Sequence, residues 1–274
     1  MKTAIIFSGG GAKGANQVGI LKAMLENETL DIMGVYGTSV GALNSTGFSY
    51  IGMEGLENIW LNIKSRKDII KVNWKTLGPV FGSGIFTTKP LRQIIDKTVD
   101  GNKPAFPIKV CKVHIETGKV AYGKNGDPNF KDSVEASTCI PLSMQAINNV
   151  WVDGGVREIT PLKRAIEDGA DKVIVILASP WQRDPNRWKA PKGWSFFKSL
   201  QFASRAVDIL AHEVFIDDIK SCHRKNNVKG YKKVNLQVYA PRKLLIDTLD
   251  FNPEKIRKAL KHGYESYLKG SVIL

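Results

Sequence analysis

Val35-Tyr36-Gly37-Thr38-Ser39-Val40-Gly41 is the stretch on which the rest of the chain turns. A β-branched and aromatic run stops at a glycine, a serine follows two residues later, then another glycine and a run of small residues. This is Gly-x-Ser-x-Gly between a strand and a helix, a sharp turn that lifts one serine hydroxyl above the end of a sheet. A nucleophile in such a turn sits in a sparsely populated backbone region, at a cost of about 1–3 kcal/mol. Gly37 and Gly41 remove the Cβ where strand and helix nearly touch. The pentapeptide alone is equally compatible with a tight turn that does no chemistry, so the remainder of the chain decides between the two.

Upstream, Lys2 to Phe7 reads as a buried parallel strand ending at Ser8-Gly9-Gly10-Gly11-Ala12-Lys13-Gly14. Val18, Leu21, Met24 and Leu25 recur at helical spacing, which predicts a helix to about Glu26. Asp31 to Tyr36 is the second strand. A βαβα opening with a right-handed crossover brings both glycine-rich loops to the same edge of adjacent strands, so the triglycine loop and Ser39 are expected as neighbours. Gly9-x-Gly11-x-x-Gly14 also fits the dinucleotide fingerprint, which wants an acidic residue at the end of the second strand. Gly37-Thr38-Ser39 stands there instead and Asp31 comes too early, so no cofactor is expected. The same N–H groups suit another negative charge, such as an oxyanion, for which one donor lowers the barrier by about 2.7–4 kcal/mol. Lys13 falls in the first helical turn, where a cation opposes the helix dipole. It reads as a solvated lysine, as a tie for the loop, or as a contact to an anionic head group.

The chain has 274 residues, 40 Lys plus Arg against 26 Asp plus Glu, and a net charge of +14. That length suits one α/β domain, taken as 1–274, and buries about three-quarters of the unfolded surface without staples. Cys111, Cys139 and Cys222 are odd in number, widely spaced and without Cys-x-x-Cys, which points to a reducing, cytoplasmic setting and against a disulfide framework or a metal site. The apolar run Ala4 to Phe7 is too short for a signal peptide, and no stretch of about 20 apolar residues reads as a membrane span. The basic balance points to an anionic partner. No nucleic-acid motif is visible, so an anionic membrane surface with peripheral attachment is expected rather than nucleic acid.

Leu56, Ile59, Trp60 and Ile63 mark a further helix. Residues 66–88 are irregular and rich in exposed-looking apolar side chains, among them Ile69, Ile70, Trp74, Leu77, Val80, Phe81, Ile85 and Phe86, the composition of a lid or of a core-packing loop. Thr88 and Pro90 start the next helix. Ile108 to Glu116 and Lys119 to Gly123 are strands, and a short helix begins near Phe130. Met144 to Val152 is strand-like and ends in Asp153-Gly154-Gly155. Pro161 opens a helix and Lys172 to Ala178 is a buried strand. Residues 179–197 interleave Trp181, Trp188 and Trp194 with Arg and Lys, as an interfacial segment does or as a loop pinned by buried tryptophans does. A long helix, a strand around Val234 to Val238, and a last helix capped by Asn252 follow.

A serine nucleophile needs a base. His114 lies in a strand, and His212, His223 and His262 lie on helices; none sits at a strand end, whereas Asp153 does. A carboxylate that is close and partly desolvated can take the serine proton directly. Gly9-Gly10-Gly11-Ala12-Lys13-Gly14, Gly37-Thr38-Ser39-Val40-Gly41, Ala136-Ser137 through Pro141, and Asp153-Gly154-Gly155 then stand in the order of patatin-like phospholipases, which the chain resembles over nearly its whole length. Ser8 stands where aspartate is common in that family and Lys13 where arginine is common. The resemblance implies a three-layer α/β/α sandwich with a mostly parallel central sheet. It also implies metal-free hydrolysis of phospholipid, lysophospholipid or a related acyl ester, with Ser39 as nucleophile, Asp153 as base, and Gly9, Gly10 and Gly11 as the oxyanion hole. The other reading of the same chain is a basic lipid- or nucleic-acid-binding module with a vestigial site.

Overall fold

β1 (Thr3–Phe7) is buried along its whole length, and its side chains alternate between two cores. Ile5 and Phe7 point to one face of the sheet, Ala4 and Ile6 to the other, as a period of two requires. The computed structural model describes residues 1–73, 85–141, 143–182, 184, 188, 196–226 and 228–272.

β1 lies between β2 (Ile32–Thr38) and β8 (Lys172–Ile176), parallel to both. β8 pairs in parallel with β9 (Asn235–Tyr239), and β2 with β5 (Ile108–His114). β5 carries two antiparallel partners, β6 (Val120–Lys124) and β7 (Trp151–Asp153). The order is β6-β5-β2-β1-β8-β9, with β7 attached to β5. Apart from it, β3 (Lys71–Val72) and β4 (Phe86–Thr87) form a two-stranded pair.

One face is covered by α1 (Gly14–Asn27), α2 (Val40–Asn62), α3 (Lys89–Val99), α4 (Phe130–Ala136) and α7 (Pro253–Leu268), whose apolar side chains share a core with Ile5, Phe7, Val35, Ile108 and Ile174. The other is covered by α5 (Leu162–Glu167) and α6 (Phe196–Lys225), through Leu162, Ala165, Phe215 and Ile219 on Ile6, Val173 and Val175. The molecule is therefore the three-layer α/β/α sandwich that the resemblance implies. α2 breaks at Gly52 (φ 69, ψ −174), so Leu56 to Asn62 is a separate helical piece, as its apolar spacing indicates.

Two expectations are corrected. Met144 to Val152 is not one strand: only Trp151–Asp153 joins the sheet, and Asn148 (φ 50) and Asn149 (φ 63) turn the chain back between Ile147 and Trp151. Asn tolerates the left-handed region through its short polar side chain. Ile69, Ile70 and Phe86 are not exposed but buried in the first core. Trp74, Leu77, Val80 and Phe81, like Trp194, lie outside the described residues, so the lid and interface readings of 66–88 and 179–197 concern segments that are only partly described.

α1 and α7 pack backbone to backbone. A Cβ at Gly19 would stand 1.9 Å from the Leu260 carbonyl oxygen, and one at Gly263 would stand 2.1 Å from that of Asn16. Neither obstacle is a side chain that can swing away, so Gly263→Ala has to push the helices apart. We expect it to lower stability by about 1–3 kcal/mol, read as a lower urea midpoint at unchanged slope; an unchanged midpoint would contradict this packing.

Candidate active site

β2 delivers Ser39 at its C-terminal end. Ser39 has φ 57 and ψ −128, a region that non-glycine residues avoid, and is one of three non-glycine residues with positive φ among those described. The turn is possible because its flanks carry no side chain: a Cβ at Gly37 would meet the Gly41 carbonyl oxygen at 2.1 Å, and one at Gly41 would meet that of Phe7 at 2.1 Å. The Ser39 N–H donates to Ser137 Oγ (2.9 Å), in the turn that ends α4.

Asp153 arrives from the opposite direction. On β5, β2 pairs as far as Thr38 opposite Cys111, and β7 takes over with Asp153 opposite Lys112. β6 occupies the other edge over Lys109–Val113. β2 running up and β7 running down therefore meet end to end beside one strand. Asp153 N–H donates to the Cys139 carbonyl (3.0 Å), and its carboxylate Oδ1 accepts from Gly155 N–H (2.7 Å). The Ser39 side chain stands beside the same carboxylate, near enough to lower its pKa. Gly154 has no room for a Cβ, which would stand 2.7 Å from the Cys111 carbonyl oxygen. Burial pushes the Asp153 carboxyl up to about 7, against the lowering effect of the Gly155 and Ser39 hydrogen bonds. Ser39 is 8% exposed and Asp153 4%.

The triglycine loop lies beside them, with the Cβ position of Gly9 3.2 Å from Ser39 Cβ. The expectation for this loop needs one correction. Gly9 N–H donates to the Ile159 carbonyl (3.1 Å), so it is engaged within the fold. Gly10 and Gly11 N–H make no hydrogen bond among the described residues, nor does the N–H of Val40 at the start of α2. Lys13 is not solvated: it is 5% exposed, and its Nζ pairs with Asp208 Oδ1 of α6 (2.9 Å), which ties the loop. Burial raises the Asp208 carboxyl, but the Lys13 charge and hydrogen bond and the Thr248 hydroxyl outweigh it, leaving it below the usual range. Gly14 sits under α2, where a Cβ would be 2.5 Å from Val40 Cγ2.

Several supporting side chains have no motif. Gln17 Nε2 donates to the carbonyls of Ser8 (2.9 Å) and Ile176 (2.8 Å), tying together the ends of β1 and β8. Asn44 Nδ2 donates to Gln17 Oε1 (2.9 Å), and Trp60 Nε1 to Asn44 Oδ1 (2.9 Å). Ser8 Oγ accepts from Ala178 N–H (3.0 Å). The sequence signal for Gln17 and Asn44 is polarity at positions whose helical neighbours are apolar or small. Buried amides of this kind persist only with partners.

Two cavities meet the loop. One is lined by Gly11, Ser39 and the apolar side chains Leu43, Trp60, Ile70, Ile95 and Met144 among others. The second adjoins Gly9, Gly10 and Lys13 and is polar, with Arg205, His212, Lys243 and Asp247 on its walls. Among the described residues no group of three or more His, Cys, Asp or Glu side chains is placed to hold a metal ion, and no helix is long and apolar enough to cross a membrane.

The raised Asp153 carboxyl is a statement about stability. Its folded pKa, about 7, exceeds the ordinary aspartate value of about 3.9. The folded state thus holds a proton that the unfolded state has lost between those values. Stability from this group is full below about pH 3.9 and is lost as the pH rises through about 7. Asp153→Asn removes the buried charge, so we expect the variant to be more stable than the parent at about pH 8, by a few kcal/mol, with the difference shrinking toward about pH 4. Parallel denaturant curves that keep a constant gap would contradict it.

The patatin-like phospholipase family model matches residues 5–166, more than half of the chain. The uncharacterized protein YjjU of Escherichia coli strain K12 is 22% identical over 283 residues, covering 96% of this chain and 75% of its own length. The crystal structure of VipD from Legionella pneumophila aligns with a TM-score of 0.48 at 13% identity, over 98% of this chain; the chain spans 66% of that protein's length. The matched residues run from β1 through α5 and include both glycine motifs, Ser39 and Asp153, and on this match the chain belongs to the patatin-like phospholipase family, a family of lipid acyl hydrolases.

Proposed function

We propose that the protein is a serine acyl hydrolase of phospholipase A or lysophospholipase type, acting on membrane lipids or related long-chain acyl esters through a Ser39–Asp153 dyad. The observation that carries this is the Ser39 side chain set beside the buried Asp153 carboxylate, with Ser39 also lining an apolar cavity. Ser39 Oγ attacks the ester carbonyl carbon as its proton passes to Asp153. The carbonyl oxygen becomes an oxyanion and is met by the uncommitted N–H groups of Gly10 and Gly11, with Val40 N–H as the donor that follows a nucleophile in such a turn. The tetrahedral intermediate collapses, the C–O bond to the alcohol breaks, and the alcohol leaves with the proton held by Asp153. Water then attacks the acyl-serine, gives its proton to Asp153, and releases the fatty acid as Ser39 recovers its proton.

A carboxyl near 7 is well matched to taking and returning a proton at neutral pH, and its desolvation supplies the basicity that a carboxylate in water lacks. The apolar lining of the cavity suits an acyl chain, since ligand sites are walled mostly by hydrophobic side chains with a few polar groups to fix orientation.

Ser39→Ala should abolish turnover of p-nitrophenyl esters and labelling by a fluorophosphonate probe. Asp153→Asn should lower turnover by about 10²–10⁴-fold with the fold intact. In the parent, kcat/KM should fall as the pH drops below about 7, because protonated Asp153 cannot accept the serine proton. Turnover retained by Ser39→Ala would end the proposal, and so would a profile flat from about pH 5 to 8.

The cavity assignment is tested separately. Ile94, on its wall, is partly buried. Ile94→Trp should cut turnover of a long-chain ester by about tenfold or more while changing a butyrate ester little, since the lost volume is felt only by chains that reach it. An equal fall for both esters would place the acyl chain elsewhere.

A further inference from the structure

We propose that the half of α6 nearest the site is a docking surface for an anionic lipid bilayer. This names the surface on which the hydrolase reading would draw its substrate, and it rests on that reading only for its purpose. α6 changes character along one stripe. Phe202, Ala206, Ile209 and Leu210, spaced i, i+4, i+7 and i+8, are exposed, Phe202 by 47%, Ile209 by 42% and Leu210 by 65%. The same stripe continues through Glu213, Asp217 and Lys220, which are also exposed. The second half is thus an ordinary amphipathic helix, with Phe215, Ile219 and Cys222 inward and charges outward. The first half has His212 and Asp208 inward and part-exposed apolar side chains outward, with Phe202 edge-on to the Trp188 ring at 5.3 Å and Leu210 the most exposed.

The apolar half lies at the site end of the helix. Asp208 holds Lys13 of the glycine loop, and Arg205, Asp208 and Ala211 line the polar cleft together with Gly9 and Gly10. The far end of α6 packs at Val234, just before β9, where Asn226 Nδ2 donates to the Val234 carbonyl. Large apolar side chains exposed in a row mark a surface that meets something apolar. Around the cleft stand Arg205, over the Trp188 ring at 5.8 Å, and the exposed Arg242 and Lys243, along with Asp184 and Asp247. A second copy would bring two chains of net charge +14 together, whereas a bilayer with anionic head groups satisfies the apolar stripe and the cations at once.

The test uses the full chain carrying Ser39→Ala, so that binding is read without turnover and stands or falls apart from the chemistry. It should co-sediment with phosphatidylcholine vesicles containing phosphatidylglycerol, and salt should weaken the binding. Adding Phe202→Ser and Leu210→Ser should weaken vesicle affinity by about tenfold or more, while Lys220→Ser, on the same stripe beyond the change in character, should stay within about twofold. Thermal melts check the fold; if the double variant melts early, Leu210→Ser alone is read in its place, with a loss of about fivefold expected. Unchanged affinity, no vesicle binding by the parent, or a dimer in sedimentation equilibrium that the serine variants dissolve would each overturn the proposal. Vesicle binding by a chain whose parent has no esterase activity would leave docking standing and remove only the hydrolase reading.

Discussion

The structure depends on two strands of opposite direction meeting end to end along one edge of β5. β2 uses that edge up to Cys111 and β7 from Lys112 onward. A parallel strand offers its C-terminal end and an antiparallel one offers its own from the other side, so both deliver the residue that ends them to the same spot. Ser39 and Asp153 owe their contact to this change of partner, not to any loop that reaches across. It also explains where β7 stops. A β7 carried on past Asp153 would run into β2, and the turn at Asn148 and Asn149 limits its other end.

Such a junction carries two costs, a backbone at φ 57 on a non-glycine residue and a carboxylate with almost no exposure to water. Each is tolerated because the surroundings leave little alternative. Ser137 Oγ holds the Ser39 N–H and the Cys139 carbonyl holds the Asp153 N–H, so one turn after α4 secures both partners. On the other flank, Gln17, Asn44 and Trp60 satisfy one another beneath the glycine loop. Polar groups buried in this way are costly if any member lacks a partner, which makes the network a rigid support. Rigidity at this place matters on the proposed chemistry, since a donor aimed at an oxyanion is useful only if it need not reorganise.

What was legible in the sequence is what local residues decide. β1, β2 and β8 are continuous apolar runs ending in glycine or small residues, and the elbow at Ser39 is written in five consecutive positions. Asp153 stands out in the sequence as a carboxylate at a strand end before two glycines, a pattern that an ordinary turn shares. What was not legible depends on distant partners. Gly9 looks like its neighbours in the triglycine run, and only the arrival of the Ile159 carbonyl separates it from Gly10 and Gly11. Lys13 had three readings in the sequence, and Asp208, almost two hundred residues later, selects the one in which it ties the loop. Met144 to Val152 has the composition of a strand, yet Asn148 and Asn149 take positive φ and fold it back. Ile69, Ile70 and Phe86 look exposed in an irregular stretch because burial is a property of what packs on them.

The triglycine loop has a cavity on each side, and this accounts for its composition better than flexibility does. A Cβ at Gly10 would strike Ala178 Cβ at 2.5 Å, and one at Gly11 would strike the Thr248 carbonyl oxygen at 2.2 Å. Bare backbone is what can fit there, and bare backbone is also what exposes N–H groups on a thin wall between an apolar space and a polar one. An ester is an object with that same division, an apolar chain on one side of its carbonyl and, in a phospholipid, a polar group on the other. On the proposed reading the wall therefore sorts the two halves of the substrate while donating to the oxygen between them. Lys13 then has a reason to be tied to α6: a salt bridge buried on the lysine side stiffens the wall from the polar cleft.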